Sequence, residues 1–450
     1  MINYRQMSEA FRTFFEQTTE TTARQVKFVV RRSKLTGAVF VQTLVFGWSE
    51  QPQAALNDLA ETAADLGVAI TAQGLDERIT AAAVRLFETL CQESLRWFQQ
   101  RLPLDLVVLR QFTAVEIVDS TCIALPAALR DAYPGSGGDG PAASLKVQLL
   151  LNFLTGELAQ IVFETGCSPD QAYEADLSRL EAGTLRISDL GYFKLQRFQT
   201  IAEHQAYFLS RLDLHVTLTD ATTGQPVDLL TWLQGETVTV SERNLLVGSV
   251  HPIPCRIIAV RLPQAVVDRR RQRAQENARR KGRTLSAHHL ALLAWNVFMT
   301  NVPATLLTAE QVAQLYPVRW QVELVFKLWK SEFALDRVAG FRRERVLCEL
   351  YAKLIGAVLL CFLAAPHRLT AEAELSLIKA AHIFRRHVLR LAQSLSVQAV
   401  LVQNLQQLSQ RLLRFGGKTK RRKTPSTCRQ LERLIPPEGV AFQPQPATAA

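Results

Sequence analysis

The chain has 450 residues, 48% of them hydrophobic and 21% charged, with 21 Gly and 18 Pro scattered without a period. Such a chain is neither disordered nor collagen-like, and its length allows about two to four packed units. Lys and Arg number 52 against 41 Asp and Glu, and the resulting net charge of +11 favours a polyanionic partner, either nucleic acid or an acidic membrane surface. The longest uncharged apolar run, Leu354 to Pro366, is shorter than the ~20 residues of a spanning helix and reads as a buried helix. Charges in the first twenty positions replace the apolar stretch of a secretion signal, so a cytoplasmic location without a membrane partner is expected. Seven cysteines form no C-x-x-C pair, which predicts reduced, buried thiols rather than zinc or disulfides.

In chain order, residues 1 to about 105 are rich in helix formers. Within them Leu56, Leu59, Ala60 and Ala63 make an apolar stripe, Gly67 suits a turn, and Thr71 suits the cap of a second helix running through Arg78 and Arg85. This fits a helix-turn-helix or, equally, a plain helical bundle. The texture then changes to strands. Ala114 to Ser120 is an apolar run closing on Asp119, and residues 144–153 and 157–164 read as a hairpin turning at Thr155-Gly156. A helix from Pro169 to Ala182, a strand ending at Asp189, a helix from Phe193 to Gln205 and a strand from Ala206 to Leu212 follow. That order resembles the ribonuclease-H-like fold, an α/β mixed sheet flanked by helices. From 214 to 305 the pieces are short and β-rich, with the basic run Arg269, Arg270, Arg271, Arg273, Arg279, Arg280, Lys281 and Arg283 predicted to be helical. Eight cations in sixteen residues lean toward phosphate contact over a merely solvated face.

Metal-assisted phosphodiester chemistry needs two or three carboxylates converging on one point, because hard cations take oxygen ligands. Asp119 follows an apolar run and Asp189 ends the strand Thr184 to Ser188, although on spacing alone a turn or cap residue is the commoner reading of each. Tyr316, Arg319, Glu323 and Lys330 follow steps of three, four and seven, which places them within an arc of about 60° on a helix expected to start at Pro317. Val318, Val322, Val325 and Trp329 form a separate apolar stripe about 120° away. The plain alternative is an Arg319 to Glu323 ion pair on a wet surface.

The spacing Tyr-x2-Arg-x3-Glu-x6-Lys resembles the signature of bacterial insertion-sequence transposases of the DDE type, the cut-and-paste group with a β-rich insertion before the last acid. Asp119-Ser120-Thr121, Asp189-Leu190-Gly191-Tyr192-Phe193, Phe208 to Arg211 and Thr300-Asn301-Val302-Pro303 are similar to the family's other motifs. The resemblance implies a ribonuclease-H-like core in which Asp119, Asp189 and Glu323 hold two Mg²⁺ ions, with Mn²⁺ as a substitute. It further implies phosphate contacts from Arg319 and Lys330, with Tyr316 on the same DNA. The partners implied are terminal inverted repeats, a target duplex and a second copy of the chain, at the nucleoid.

The expected organisation is a DNA-binding helical region at 1–105 and a catalytic core at 106–213 and 306–345. The core is interrupted by the β-rich insertion with its basic helix at 214–305. A helical region at 346–430, with a basic stretch from Lys418 to Lys423, and a tail at 431–450 expected to be disordered complete it. The rival functions are a DNA-binding protein without catalysis, a stand-alone nuclease of the same fold and, more remotely, a glycosidase.

Overall fold

The computed structural model describes residues 2–31, 34–99, 103–138, 140–173, 177–370, 374–419 and 425–435. Two compact units divide the chain, one made of residues 1–104, 119–168 and 320–424, the other of 105–118, 169–319 and 425–450.

In the first unit α1 (Tyr4–Arg12), a π-helical segment (Thr13–Thr18) and α2 (Thr19–Gln25) follow one another directly. Phe11, Phe14 and Phe15 on this stretch are fully buried. Phe98 packs its ring 4.9 Å from that of Phe14, an arrangement that buries large aromatic area without polar cost. Then come α3 (Gly37–Glu50), α4 (Leu56–Asp65), α5 (Ala72–Arg78) and α6 (Ala81–Trp97). Gly67, at φ +85°, makes the expected turn, and the Thr71 hydroxyl caps α5 by accepting from Gly74 N at 3.1 Å. The second helix is shorter than expected. Thr80 accepts from Ala83 N and starts α6, so a second capping residue places Arg78 and Arg85 on different helices.

The run expected to be a buried helix lies in α13 (Arg343–Ala364), where every residue from Val346 to Ala364 is buried. It is long and apolar enough to cross a membrane by composition, but its whole apolar window is packed inside the protein. At Gly356 a Cβ would come within 2.2 Å of Ser49 Oγ, so only glycine permits this approach of α13 to α3. The unit also contains α12 (Trp320–Glu332), α14 (Leu377–Arg385), α15 (Val388–Gln393) and α16 (Gln398–Phe415). Of the basic stretch near the C-terminus, residues 420–423 lie outside the described set, as does the tail from 436 on.

Nine strands form one sheet in the order β3-β2-β1-β4-β5-β9-β8-β7-β6. Strand β1 (Val115–Leu125) begins in the second unit and ends in the first. In the first unit β2 (Ala143–Asn152) and β3 (Leu158–Thr165) form the antiparallel hairpin expected, with Gly156 at φ +79° in its turn. In the second unit β1 runs parallel to β4 (Leu185–Ser188), and β4 parallel to β5 (Tyr207–Arg211). The helix between these last strands is α7 (Leu195–Glu203). This is the mixed α/β sheet with flanking helices that the sequence predicts. The strands of the β-rich stretch, β6 (Leu218–Asp220), β7 (Val240–Val247), β8 (Ile253–Arg261) and β9 (Trp295–Thr300), extend the same sheet because β9 pairs with both β5 and β8. One face of this part packs Phe208, Ile257, Val297 and Met299 into a core with Phe198 and Trp232. The remaining helices here are α8 (Leu229–Gly235), α9 (Gln264–Arg280), α10 (Ala287–Leu292), α11 (Ala309–Leu315) and α17 (Thr427–Leu431).

One expected element is absent among the described residues. In place of a helix from Pro169 to Ala182, short 3₁₀ turns stand at Asp170–Ala172 and Leu177–Arg179. The buried guanidinium of Arg197 donates to the carbonyls of Gln171, Tyr173 and Tyr192, two of which an α-helix would have needed for itself.

Candidate active site

Strands β1 and β4 each lead into an aspartate. Within the second unit Val118 is in register with Ser188; Asp119 follows on the part of β1 that belongs to the first unit, and Asp189 follows the end of β4. Asp119 is not at a strand end as expected. β1 continues to Leu125 because Thr121, Ile123 and Leu125 are buried while Cys122 and Ala124 are exposed, an alternation that keeps the strand going. Asp119 Oδ1 accepts from Ser120 N at 2.8 Å. Asp189 ends β4 as read and opens a 3₁₀ turn, Leu190–Tyr192.

Tyr316 donates its hydroxyl to Asp189 Oδ1 at 3.2 Å and lies 3.4 Å from the Ser188 carbonyl. Its ring packs 5.0 Å from that of Phe298. Burial, then the Asp189 carboxylate, push the phenol pKa well above its ordinary range, against the opposing pull of Arg319 and Arg211. The phenol is therefore neutral at physiological pH and can donate.

The helix expected from Pro317 starts later. Tyr316–Arg319 is a 3₁₀ turn between α11 and α12, and α12 proper begins at Trp320. Pro317 has no N–H for an i→i−4 bond, so the chain tightens there. A three-residue repeat still aligns Tyr316 with Arg319. On α12, Glu323 stands in the first turn and Lys330 in the last; both are half-buried. The predicted apolar stripe is inside, with Val318, Val322 and Trp329 fully buried and Val325 nearly so. Tyr316, Arg319 and Asp189 belong to the second unit, Asp119, Glu323 and Lys330 to the first.

Among the described residues no three His, Cys, Asp or Glu side chains stand close enough together to hold a metal ion. The chemistry of the donors nonetheless suits a hard cation. Tyr316 takes only one oxygen of Asp189, leaving the other for an oxygen-seeking ion.

The basic run lies on α9, as predicted. Arg269 bonds back to Ala265 O, Arg270 Nη2 donates to Asn296 Oδ1 at 2.9 Å, and Arg271 donates to Leu290 O at 3.0 Å. Arg273, Arg279, Arg280, Lys281 and Arg283 are exposed. In the helical region, Arg78 lies 4.8 Å over the Phe28 ring, and the exposed Arg85 reaches Val26 O at 3.4 Å. Sequence reading missed Arg211 as a site residue on its own account. Its signals were its place in the Phe208 to Arg211 motif and at the end of a strand, six residues past a glutamine at φ +57°, Gln205.

The structure thus has an open mixed α/β sheet in which β1, β4 and β5 run parallel, with a tyrosine-arginine turn beside Asp189. Residues 110–359 match the sequence profile of the transposase DDE domain, and the chain belongs to that family. It is accordingly an enzyme of DNA transposition. The transposase of insertion sequence element IS231F from Bacillus thuringiensis subsp. israelensis is 29% identical over 429 residues, covering 88% of this chain and 87% of its own. That of IS1151 from Clostridium perfringens is 28% identical over 359 residues, covering 75% and 76%. Among solved structures, the piggyBac transposase synaptic complex with hairpin DNA aligns over 92% of this chain and 86% of its own, with a TM-score of 0.47 and 9% identity.

Proposed function

We propose that this transposase binds the terminal inverted repeats of its own insertion sequence, cleaves the phosphodiesters at the element ends and joins the freed 3′ ends to a target duplex. Asp119, Asp189 and Glu323 are the residues that would hold two divalent ions, with Mg²⁺ the natural species. The chemistry supplied by those ions when bound is activation of a water or 3′-hydroxyl and neutralisation of charge on the leaving oxygen. The chain's own groups do the rest. Tyr316 keeps one oxygen of Asp189 oriented, while Arg319 and Lys330 contact phosphates beside the cut and offset their repulsion from the acids. The helical region 1–105 and the exposed cations of α9 hold DNA farther away, the core is formed by 106–213 and 306–345, and two copies act together on a pair of ends in the nucleoid.

The observation that supports this reading is that the parallel-paired strands β1 and β4 lead into Asp119 and Asp189 respectively, together with the Tyr316 hydrogen bond to the second of them. A plasmid bearing the gene and its flanking DNA tests it, incubated with Mg²⁺ or EDTA and with wild type or Glu323→Gln. Metal-dependent breaks at two defined flanking positions, absent in the variant, are expected. Binding without cutting by wild type would establish the rival DNA-binding protein instead.

A further inference from the structure

Among the described residues, two half-buried guanidiniums in the second unit have no carboxylate partner. Arg211 stands opposite Phe298 in the antiparallel β5–β9 pairing, so both side chains leave the sheet on one face, and Asn296, two residues along β9, shares it. That face is the reverse of the one carrying Val297 and Met299 into the apolar core. Tyr316 packs on it through Phe298, and Arg270 of α9 reaches it through Asn296.

Neither arginine meets a carboxylate. The guanidinium of Arg211 makes no hydrogen bond or ion pair among the described residues, and the partner of Arg270 is the neutral Asn296 amide. Burial, and secondarily the charge of Arg211, depress the Arg270 pKa, which is the mark of like charges brought together out of water. The buried arginines of this unit are arranged differently: Arg186 pairs with Glu116, Arg256 with Glu242 and two carbonyls, and Arg197 donates to the carbonyls of Gln171, Tyr173 and Tyr192. Two forks without a carboxylate partner among the described residues, on a face that also carries the Tyr316 to Asp189 contact, are a ready receptor for an oxyanion.

We propose that Arg211 and Arg270 form one phosphate-binding subsite, held in place by Asn296, which takes a single backbone phosphate of the DNA strand passing Tyr316. The subsite rests on the transposase reading for its ligand but not for its existence. It ties the basic helix to the sheet face of Asp189, so that gripping one phosphate sets the register of the strand at the acids.

The test uses the full chain with a duplex of arbitrary sequence and follows affinity against salt. Wild type, Arg211→Gln, Arg270→Gln, the double variant and Arg270→Lys are compared. Each Gln variant is expected to lower the salt slope by ~0.9, and the double variant by the same ~0.9 rather than twice that, because one phosphate is lost in every case. Arg270→Lys keeps the slope and binds several-fold more weakly, since it retains charge but loses the fork. With inorganic phosphate as probe, the unfolding temperature of wild type should exceed that in chloride of equal ionic strength, a gain the double variant loses. Unchanged slopes in both single variants, or fully additive losses in the double, overturn the shared subsite while leaving the transposase intact. Absence of DNA binding by wild type overturns both.

Discussion

Lys353 and Arg211 are both cations withdrawn from bulk water, and they could hardly be placed more differently. Lys353, on α13, is fully buried, and every proton of its ammonium has a partner: Glu349 at 2.6 Å, the Ala334 carbonyl at 3.0 Å and that of Arg337 at 3.3 Å. Glu349 in turn accepts from Ala339 N at 3.0 Å. The pair thus ties down the chain that leaves α12, including Ala334 at the unusual φ of +47°. Arg211 is half-buried and has no such partner. A charge satisfied from within holds the fold, and a charge left unsatisfied waits for a ligand. The comparison predicts a double dissociation: removing a satisfied charge costs stability, and removing an unsatisfied one costs activity.

The largest effect is expected at Asp189, whose second oxygen is left open. Asp189→Asn should lower end cleavage on the order of 10³-fold while leaving the urea midpoint unchanged or slightly raised. A lowered midpoint with activity retained would break the comparison at its functional end. Next in size is Lys353→Met, which strands the Glu349 carboxylate in the core and should cost ~3–5 kcal/mol by urea denaturation. Adding Glu349→Leu should restore most of that loss, because the uncompensated charge is then gone. Were the single variant as stable as wild type, burial of the pair would have been misjudged.

This division was only partly legible in the sequence. Asp189 could be placed because a short strand, Leu185 to Ser188, leads straight to it and ends there. Asp119 reads as a strand end because the run Ala114 to Val118, apolar except for Glu116, stops just before it. The strand goes on as an alternating one, a period that begins only beyond the acid. Thr300 and Asn301, which are similar to one of the family's motifs, also hold the sheet. Asn301 accepts from Phe208 N at 2.8 Å and donates to Ala206 O at 2.9 Å, so it completes the backbone pairing of β5. Glu349 and Lys353 are an ordinary i,i+4 pair on paper, and only the packing of α13 on all sides removes them from water. The Arg211–Arg270 pairing depends on strand register and on the seating of α9, neither of which local sequence encodes.

Tyr316 lies between the two kinds of group, since its hydroxyl is satisfied by Asp189 yet faces the same side as the open charges. Tyr316→Phe removes one hydrogen bond to a charged acceptor, for which ~1.5 kcal/mol is expected. Seen in cleavage rather than in stability, that is a loss of about tenfold in kcat with KM for DNA nearly unchanged. Because the phenol pKa is raised, wild-type activity should show no tyrosine titration up to about pH 10. A loss confined to KM would reassign Tyr316 from orienting the acid to gripping the DNA.

The smallest effect concerns neutral buried groups, which test the rule from the other side. Burial pushes the thiols of Cys361 in the first unit and Cys255 in the second up to about 12. Unfolding exposes each to water, where it ionises near pH 8.5. A raised acid pKa means that the unfolded chain loses its proton first, so this contribution to stability is complete below pH ~8.5 and is lost as pH rises toward the folded value. Each thiol should therefore add a downward slope of ~1.4 kcal/mol per pH unit between about pH 9 and 10. Cys255→Ala should remove that increment from the unfolding of its own unit, whatever the cavity costs at neutral pH, because the slope reads protons and not packing. If the slope were the same in variant and wild type, the Cys255 thiol would be ionising in the folded protein. Water would then reach the apolar face of the sheet, which is the reverse of the Arg211 face, and the distinction between the two faces would fail.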